Sequence, residues 1–300
     1  MKAVSKEASS IPAKADQNAP LGGIPRSYPA QLLERENIAI TDIRVTPLSY
    51  THDGEYLWRC GGLLVWKADA ALVQVFTDQG IVGIAEGSPY CGPDKLKDYT
   101  DTWITPKLIG RNIFDVDFIT NGMGHGWVAE GAWAGVNNAL WDAIGKAKEQ
   151  PVYKLLSNDP NPSDKVHIYA SGGVCHAWYD NGEQELIEEA LRYQQEGYDT
   201  FKLRNGTSWK YSGMTMEKYI PILRRLRQAV GPDFKLVIEK FPWEYEEIIA
   251  KLCPALEELK FYWFEEPVDH NAENALEKHR AINEAMPSVM VSGGEGWWNR

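Results

Sequence analysis

Two rhythms of apolar and polar residues divide the chain. From about residue 38 the pattern is short and strand-like. It runs through "IAITDIRVTPLSY" and then "ALVQVFTDQGIVGIAEG", where Leu72, Val73, Val75, Ile81, Val82 and Ile84 flank the turn signal "TDQG". "GAWAGVNNALWDAIGKAKEQPVYKLL" then switches to helical spacing, with Val136, Ala139, Leu140, Ala143 and Ile144 on one face. The proline after "KEQ" marks a boundary. Residues 38–160 therefore predict an α+β domain, an antiparallel sheet followed by helices.

Over 161–300 the rhythm becomes strand, loop, helix, repeated. "KVHIYASGG", "TFKLRNG", "KLVIEKF", "FYWFEEP" and "SVMVSGGE" read as strands. "QELIEEALRYQQEGY", "MEKYIPILRRLRQAVG", "YEEIIAKLCPALEEL" and "ENALEKHRAINEAM" read as the helices between them. This alternation predicts right-handed βαβ crossovers and a parallel sheet. A closed (β/α)8 barrel needs eight such repeats over roughly 250 residues. The pattern fits either an open doubly wound α/β sheet or a TIM barrel of which about five strands are present.

The first 37 residues, rich in Ala, Pro, Ser and Lys, carry neither rhythm nor an apolar run of secretory length, and predict a mobile extension. An arm packed on a partner subunit is the other reading. No segment reaches the roughly 18 apolar residues of a membrane helix. The four cysteines are scattered, form no CxxC pair and read as reduced thiols, so the expected location is cytoplasmic. A net charge of −11 argues against nucleic acid or an anionic membrane as partner. An anionic small molecule would then need a local positive site. Twelve tryptophans are many for one chain, and such rings often line pockets.

The chemistry gathers at the predicted strand ends. Lys202 and Arg204 stand two residues apart, on one face of a strand. Glu239 ends the next strand, Glu265 and Glu266 the one after, and Glu295 the last. In a barrel these ends share one mouth, where barrel active sites lie. Three carboxylates converging from adjacent strands suit a hard divalent cation such as Mg²⁺. Without a cation they would repel one another.

These motifs together resemble the enolase superfamily, in its mandelate racemase and muconate-lactonizing branch, from about Ile38 to Arg300. "GIVGIAEG" resembles the capping-domain hairpin, and "NNALWDAIGKAKEQPVYKLL" the helix leading into the barrel. "FKLR" sits at the family's Lys-x-Lys position, and "WFEEP" and "GGEG" resemble its second and third metal-ligand motifs. The resemblance implies Mg²⁺ held by Glu239, Glu265 and Glu295. It implies removal of a proton next to a carboxylate through a metal-stabilised enediolate, with Lys202 and Arg204 as catalytic groups. It also implies a homo-oligomer. In relatives without the second Lys a His on a later strand is the base, and no residue here matches it. The chain would then stop after five of eight strands, with the base beyond it.

Two departures from the family pattern matter. Glu239 stands where the first ligand is usually Asp. Arg204 stands where many relatives carry a Lys that acts as acid or base. Arginine keeps its proton above pH ~12 and is a poor base, so Arg204 should orient substrate or balance charge. The loop "SYTHDGEYLWRCGGLLVWK" falls where the family sets specificity. His52, Tyr56, Trp58 and Arg59, with Trp178 and Glu266, are the candidate substrate contacts. A surface-loop reading fits His52 and Arg59 equally.

The resulting expectation is a Mg²⁺-dependent lyase that dehydrates an acid sugar, an aldonate or aldarate, to a 2-keto-3-deoxy acid. A racemase, epimerase or cycloisomerase of the same family is the sibling reading. A non-catalytic metal-binding or assembly protein is the reading from another class.

Overall fold

The computed structural model describes residues 33–52, 58–60, 63–88, 91–115, 126–173, 182–204, 213–239 and 244–294. Tyr56, Trp178 and Glu295, and the proposed extension up to residue 32, lie outside them. The chain forms two compact units. Among the described residues, 33–48 and 69–162 make the first, and 49–68 with 163–294 make the second.

The first unit is the α+β part. Its sheet has the order β1-β4-β5, with β1 at Ile40–Thr51, β4 at Lys67–Thr77 and β5 at Val82–Gly87. β4 and β5 are the antiparallel hairpin expected around the "TDQG" turn, and Val75 pairs with Gly83. Helices follow. α1, Pro93–Tyr99, runs through a π turn at Thr100–Ile104 into Thr105–Leu108. α2 is Trp127–Ala147, and α3 is Val152–Leu156. All five α2 residues assigned to one face are fully buried, together with Trp133. Each fully buried Val, Leu or Ile adds about 1.5–3 kcal/mol of hydrophobic stabilisation. α2 lies so close to β5 that a Cβ on Gly83 would fall 1.9 Å from the Ala139 carbonyl oxygen. Only glycine fits there.

The second unit is a five-stranded parallel sheet backed by helices, the (β/α)-type pattern expected, and among the described residues it is not closed into a barrel. In sheet order the strands run β10-β9-β8-β7-β6, in exact reverse of the chain. They are β6 Ala170–Gly172, β7 Thr200–Arg204, β8 Lys235–Glu239, β9 Trp263–Glu265 and β10 Met290–Ser292. Between them run α4, Gly182–Gln195, α5, Met216–Val230, and a helical stretch α6 over 245–258, followed by α7, Ala275–Ala285. α6 contains a π turn at Ile248–Leu252, two residues before Pro254. The π turn of the first unit likewise stands two residues before Pro106. A proline has no N–H for the preceding turn and crowds its carbonyl, and a widened turn relieves both.

The strand residues divide by period two. Phe201, Leu203, Leu236, Ile238 and Phe264 enter one core with Leu186, Tyr219, Leu223, Leu252 and Ile282 from the helices. The alternate residues take the other face of the sheet. One strand, β6, is shorter than its apolar run suggests. "KVHIY" stays outside β6, and Val166 and Ile168 are 83% and 62% exposed, with no strand beside them on that edge among the described residues. Conversely, a segment read as a loop contains a two-stranded hairpin, β2 at Trp58–Cys60 and β3 at Leu63–Val65. It belongs to the second unit.

At the feet of the strands Asp199 gathers a polar knot. Its carboxylate accepts from Lys235 Nζ at 2.8 Å and from Thr200 Oγ1 at 2.7 Å, with His167 Nε2 at 2.7 Å. Lys235 first and Thr200 next hold its pKa down from 3.8 to about 2. A carboxylate with a depressed folded pKa stabilises the fold above its ordinary value and loses that contribution as pH falls through the folded value. The side chain is half exposed, so water screens the pair. Asp199→Asn should therefore cost at most about 1 kcal/mol at pH 7. Urea unfolding checks this, and the gap between parent and variant should shrink from pH 4 to pH 2.

Candidate active site

Strand register builds the site. Arg204 pairs with Glu239, Glu239 with Glu265, and Glu265 with Ser292, so one row crosses four strands at their C-terminal ends. The row below it is Ser171, Lys202, Val237, Trp263 and Met290. Both rows lie on the sheet face away from the helix-packed core.

Lys202 reaches from the lower row into the upper one. Its Nζ lies 2.6 Å from Glu265 Oε1 and 3.0 Å from Glu239 Oε2. Arg204 Nη1 stands 3.5 Å from Glu239 Oε1. Glu239 is only 3% exposed and the Lys202 side chain 12%. Two carboxylates this close and this dry repel unless cations stand between them. Burial works against the charge on Lys202, but hydrogen bonds to Glu265 and Glu239 outweigh it and its pKa is raised. It stays an ammonium, a fixed positive charge.

Glu265 is gripped from both sides. Lys202 takes Oε1, and the indole N–H of Trp263 donates to Oε2 at 3.0 Å. Trp263 is in turn met edge-on by Tyr169, with ring centroids 5.3 Å apart at 79°. The Tyr169 ring also lies 5.9 Å from Lys202 Nζ. Neither aromatic residue was among the expected site residues. The signal for Trp263 was in the sequence, since it stands two residues before Glu265 and shares its face.

Glu239 and Glu265 form a donor set of hard oxygens, at paired positions on neighbouring strands and facing one cation. That set fits Mg²⁺, which takes carboxylate oxygens and keeps waters, better than Zn²⁺, which favours nitrogen and sulfur. Among the described residues no third Asp, Glu, His or Cys joins them in a metal-holding group.

Glu266 is 7% exposed and sits at positive φ, 48°. Its N–H donates to Ser292 O at 2.9 Å, and its Oε1 accepts from the Gly294 N–H. This fastens the exit of β9 to that of β10. His52 lies at the end of β1, edge-on to Tyr50 with centroids 5.7 Å apart, and its N–H donates to Trp66 O. The backbones of Trp58 and Arg59 pair with Val65 and Leu64 in the small hairpin. Of the expected residues, the structure thus brings Lys202, Arg204, Glu239 and Glu265 into one cluster.

Lys202→Met would leave the two carboxylates facing each other with one cation fewer. Removing one partner of a buried pair costs about 3–5 kcal/mol. Chemical unfolding in metal-free buffer should show a loss of that order, against a near-neutral Lys154→Met, whose side chain lies on the first unit's α3.

Two family models match the chain. "Mandelate racemase / muconate lactonizing enzyme, N-terminal domain" matches residues 64–157, and "Enolase C-terminal domain-like" matches residues 185–300. Together they take in more than two thirds of the chain. Among curated proteins, the chain is 27% identical to the arabinonate dehydratase of Saccharolobus solfataricus, over 76% of this chain and 61% of that protein. It is 26% identical to the N-succinyl-L-Arg/Lys racemase of Bacillus cereus, over 66% of this chain and 51% of that protein. The chain thus spans about half to three fifths of the length of these relatives. Among solved structures, a member of the enolase superfamily from Polaromonas sp. superimposes with a TM-score of 0.69 at 28% identity, covering 86% of this chain and 65% of that one. A mandelate racemase/muconate lactonizing enzyme from a marine actinobacterium, solved in complex with magnesium, shares the fold with a TM-score of 0.66 at 23% identity, over 85% of this chain and 66% of that one.

Proposed function

This chain belongs to the mandelate racemase and muconate-lactonizing branch of the enolase superfamily, and we propose that its strand-end cluster serves Mg²⁺-dependent removal of the proton next to a substrate carboxylate. The observation that carries this reading is the Lys202 ammonium set between Glu239 and Glu265, with Arg204 alongside. Glu239 and Glu265, joined by Glu295, would hold the metal. When bound, Mg²⁺ supplies Lewis-acid charge to a substrate carboxylate. Lys202 adds a fixed positive charge where negative charge grows as the proton leaves, and a preplaced charge in a dry site is worth far more than one in water. Arg204, always protonated, pairs with the substrate or balances Glu239; the proton passes instead to a base outside the described residues, which the family resemblance implies is a His on a later strand.

Within the family we favour dehydration of an acid sugar, an aldonate or aldarate, to a 2-keto-3-deoxy acid. An arabinonate dehydratase and the D-xylonate dehydratase of Haloferax volcanii are among the relatives. The polar segment that carries His52, Tyr56, Trp58 and Arg59, with Trp178 and Glu266, would supply the contacts to a hydroxylated substrate. Racemisation or epimerisation is the second reading, favoured by the B. cereus racemase and a dipeptide epimerase of Enterococcus faecalis. Arginine at position 204 weighs against it, because two-base racemisation needs a group that gives and takes a proton on each face.

A panel of pentonates, hexonates and aldarates with Mg²⁺, assayed for 2-keto acid, tests the choice. Turnover is expected with at least one polyhydroxylated acid and should fall at least 100-fold in Glu265→Gln. Turnover of amino-acid derivatives or muconate alone would sink the dehydratase reading. Mg²⁺ binding without exchange of the α-proton in heavy water would leave a non-catalytic metal-binding protein.

A further inference from the structure

Glu265 accepts hydrogen bonds from two side-chain donors. Both of its oxygens are committed, Oε1 to Lys202 at 2.6 Å and Oε2 to the Trp263 indole at 3.0 Å. A glutamate has three rotatable side-chain bonds, and a single ammonium contact leaves the carboxylate free to turn about its own axis. A second hydrogen bond, on the other oxygen, fixes the plane. The donor itself must be held, and here it is. Trp263 sits directly below Glu265 in the strand, with Tyr169 edge-on to its ring and Tyr262 tilted against it, the latter with centroids also 5.3 Å apart. The indole is a donor only, so it grips the carboxylate without competing for a cation.

We propose that Trp263 is a positioning residue for the metal, its indole N–H setting the plane of the Glu265 carboxylate before a divalent cation arrives, with Tyr169 setting the indole. The proposal rests on the metal reading above. It assigns a role to the aromatic residue ahead of the two acids in "YWFEEP", which the charge pattern of the strand ends leaves unexplained. Groups that orient a ligand from behind typically change metal affinity 10–100-fold when removed. Trp263→Phe deletes the N–H and keeps a ring against Tyr169, so it separates the hydrogen bond from the packing.

The test is calorimetric titration of Mg²⁺ into the 300-residue chain and into Trp263→Phe, with thermal midpoints measured in chelator. Binding weakened about 10-fold or more, at a midpoint within about 2 °C of the parent, is the expected result. Equal affinities overturn the role of Trp263 and leave the metal reading standing. No binding by the parent overturns the metal reading and this inference with it. Should Trp263→Phe fail to fold, ¹⁵N-indole spectra of the parent and of Glu265→Gln decide the matter. One of the twelve tryptophan signals should move on that substitution, and twelve unmoved signals overturn the proposal.

Discussion

Parallel register is the constraint on which the second unit depends. Once Phe201, Leu203, Leu236, Ile238 and Phe264 are buried under the helices, period two leaves no choice about where the alternate residues go. A slip of one residue in β8 would carry Glu239 into the apolar core and Ile238 out of it. The apolar face therefore holds the polar face in place. Arg204, Glu239, Glu265 and Ser292 share one level because the hydrogen-bonded ladder between the strands puts them there.

That alignment creates an electrostatic difficulty and contains its answer. Adjacent parallel strands lie about 4.8 Å apart, so acids at the same level on neighbouring strands are forced together. The chain sets Lys202 one level down, where a four-carbon stem is long enough to bring its ammonium between them. Arg204 closes the row from the β7 side. The cluster is an ordered set of opposite charges inside a molecule whose overall charge is strongly negative.

The parts of this arrangement governed by short-range periodicity were legible in the sequence. The common face of Lys202 and Arg204, the strand-end places of Glu239 and Glu265, and the buried face of α2 from Val136 to Ile144 all follow from counting by two or by three and four. Strand length was less legible. The run before Ala170 is apolar enough for a strand, but a strand needs a neighbour, and pairing with β7 reaches only Ala170–Gly172. The β2–β3 hairpin lies within a long polar segment, and Gly61–Gly62 between two short apolar runs is its one turn signal in the sequence. The hold of Trp263 on Glu265 depends on the indole's turn toward the strand end, a rotamer choice that composition and spacing do not reveal.

The two faces of the sheet have a consequence for how such a protein can change over generations. Residues of the apolar core and residues of the charged cluster alternate along the same few strands. An inherited substitution at Arg204 or Glu239 alters what the strand ends attract without opening a hole among Leu203, Leu236 and Ile238. The apolar packing need not change when the charged row does, although the buried ion pairs must still be balanced. The dehydratase and the racemase that resemble this chain to nearly the same degree are what such independence would leave behind.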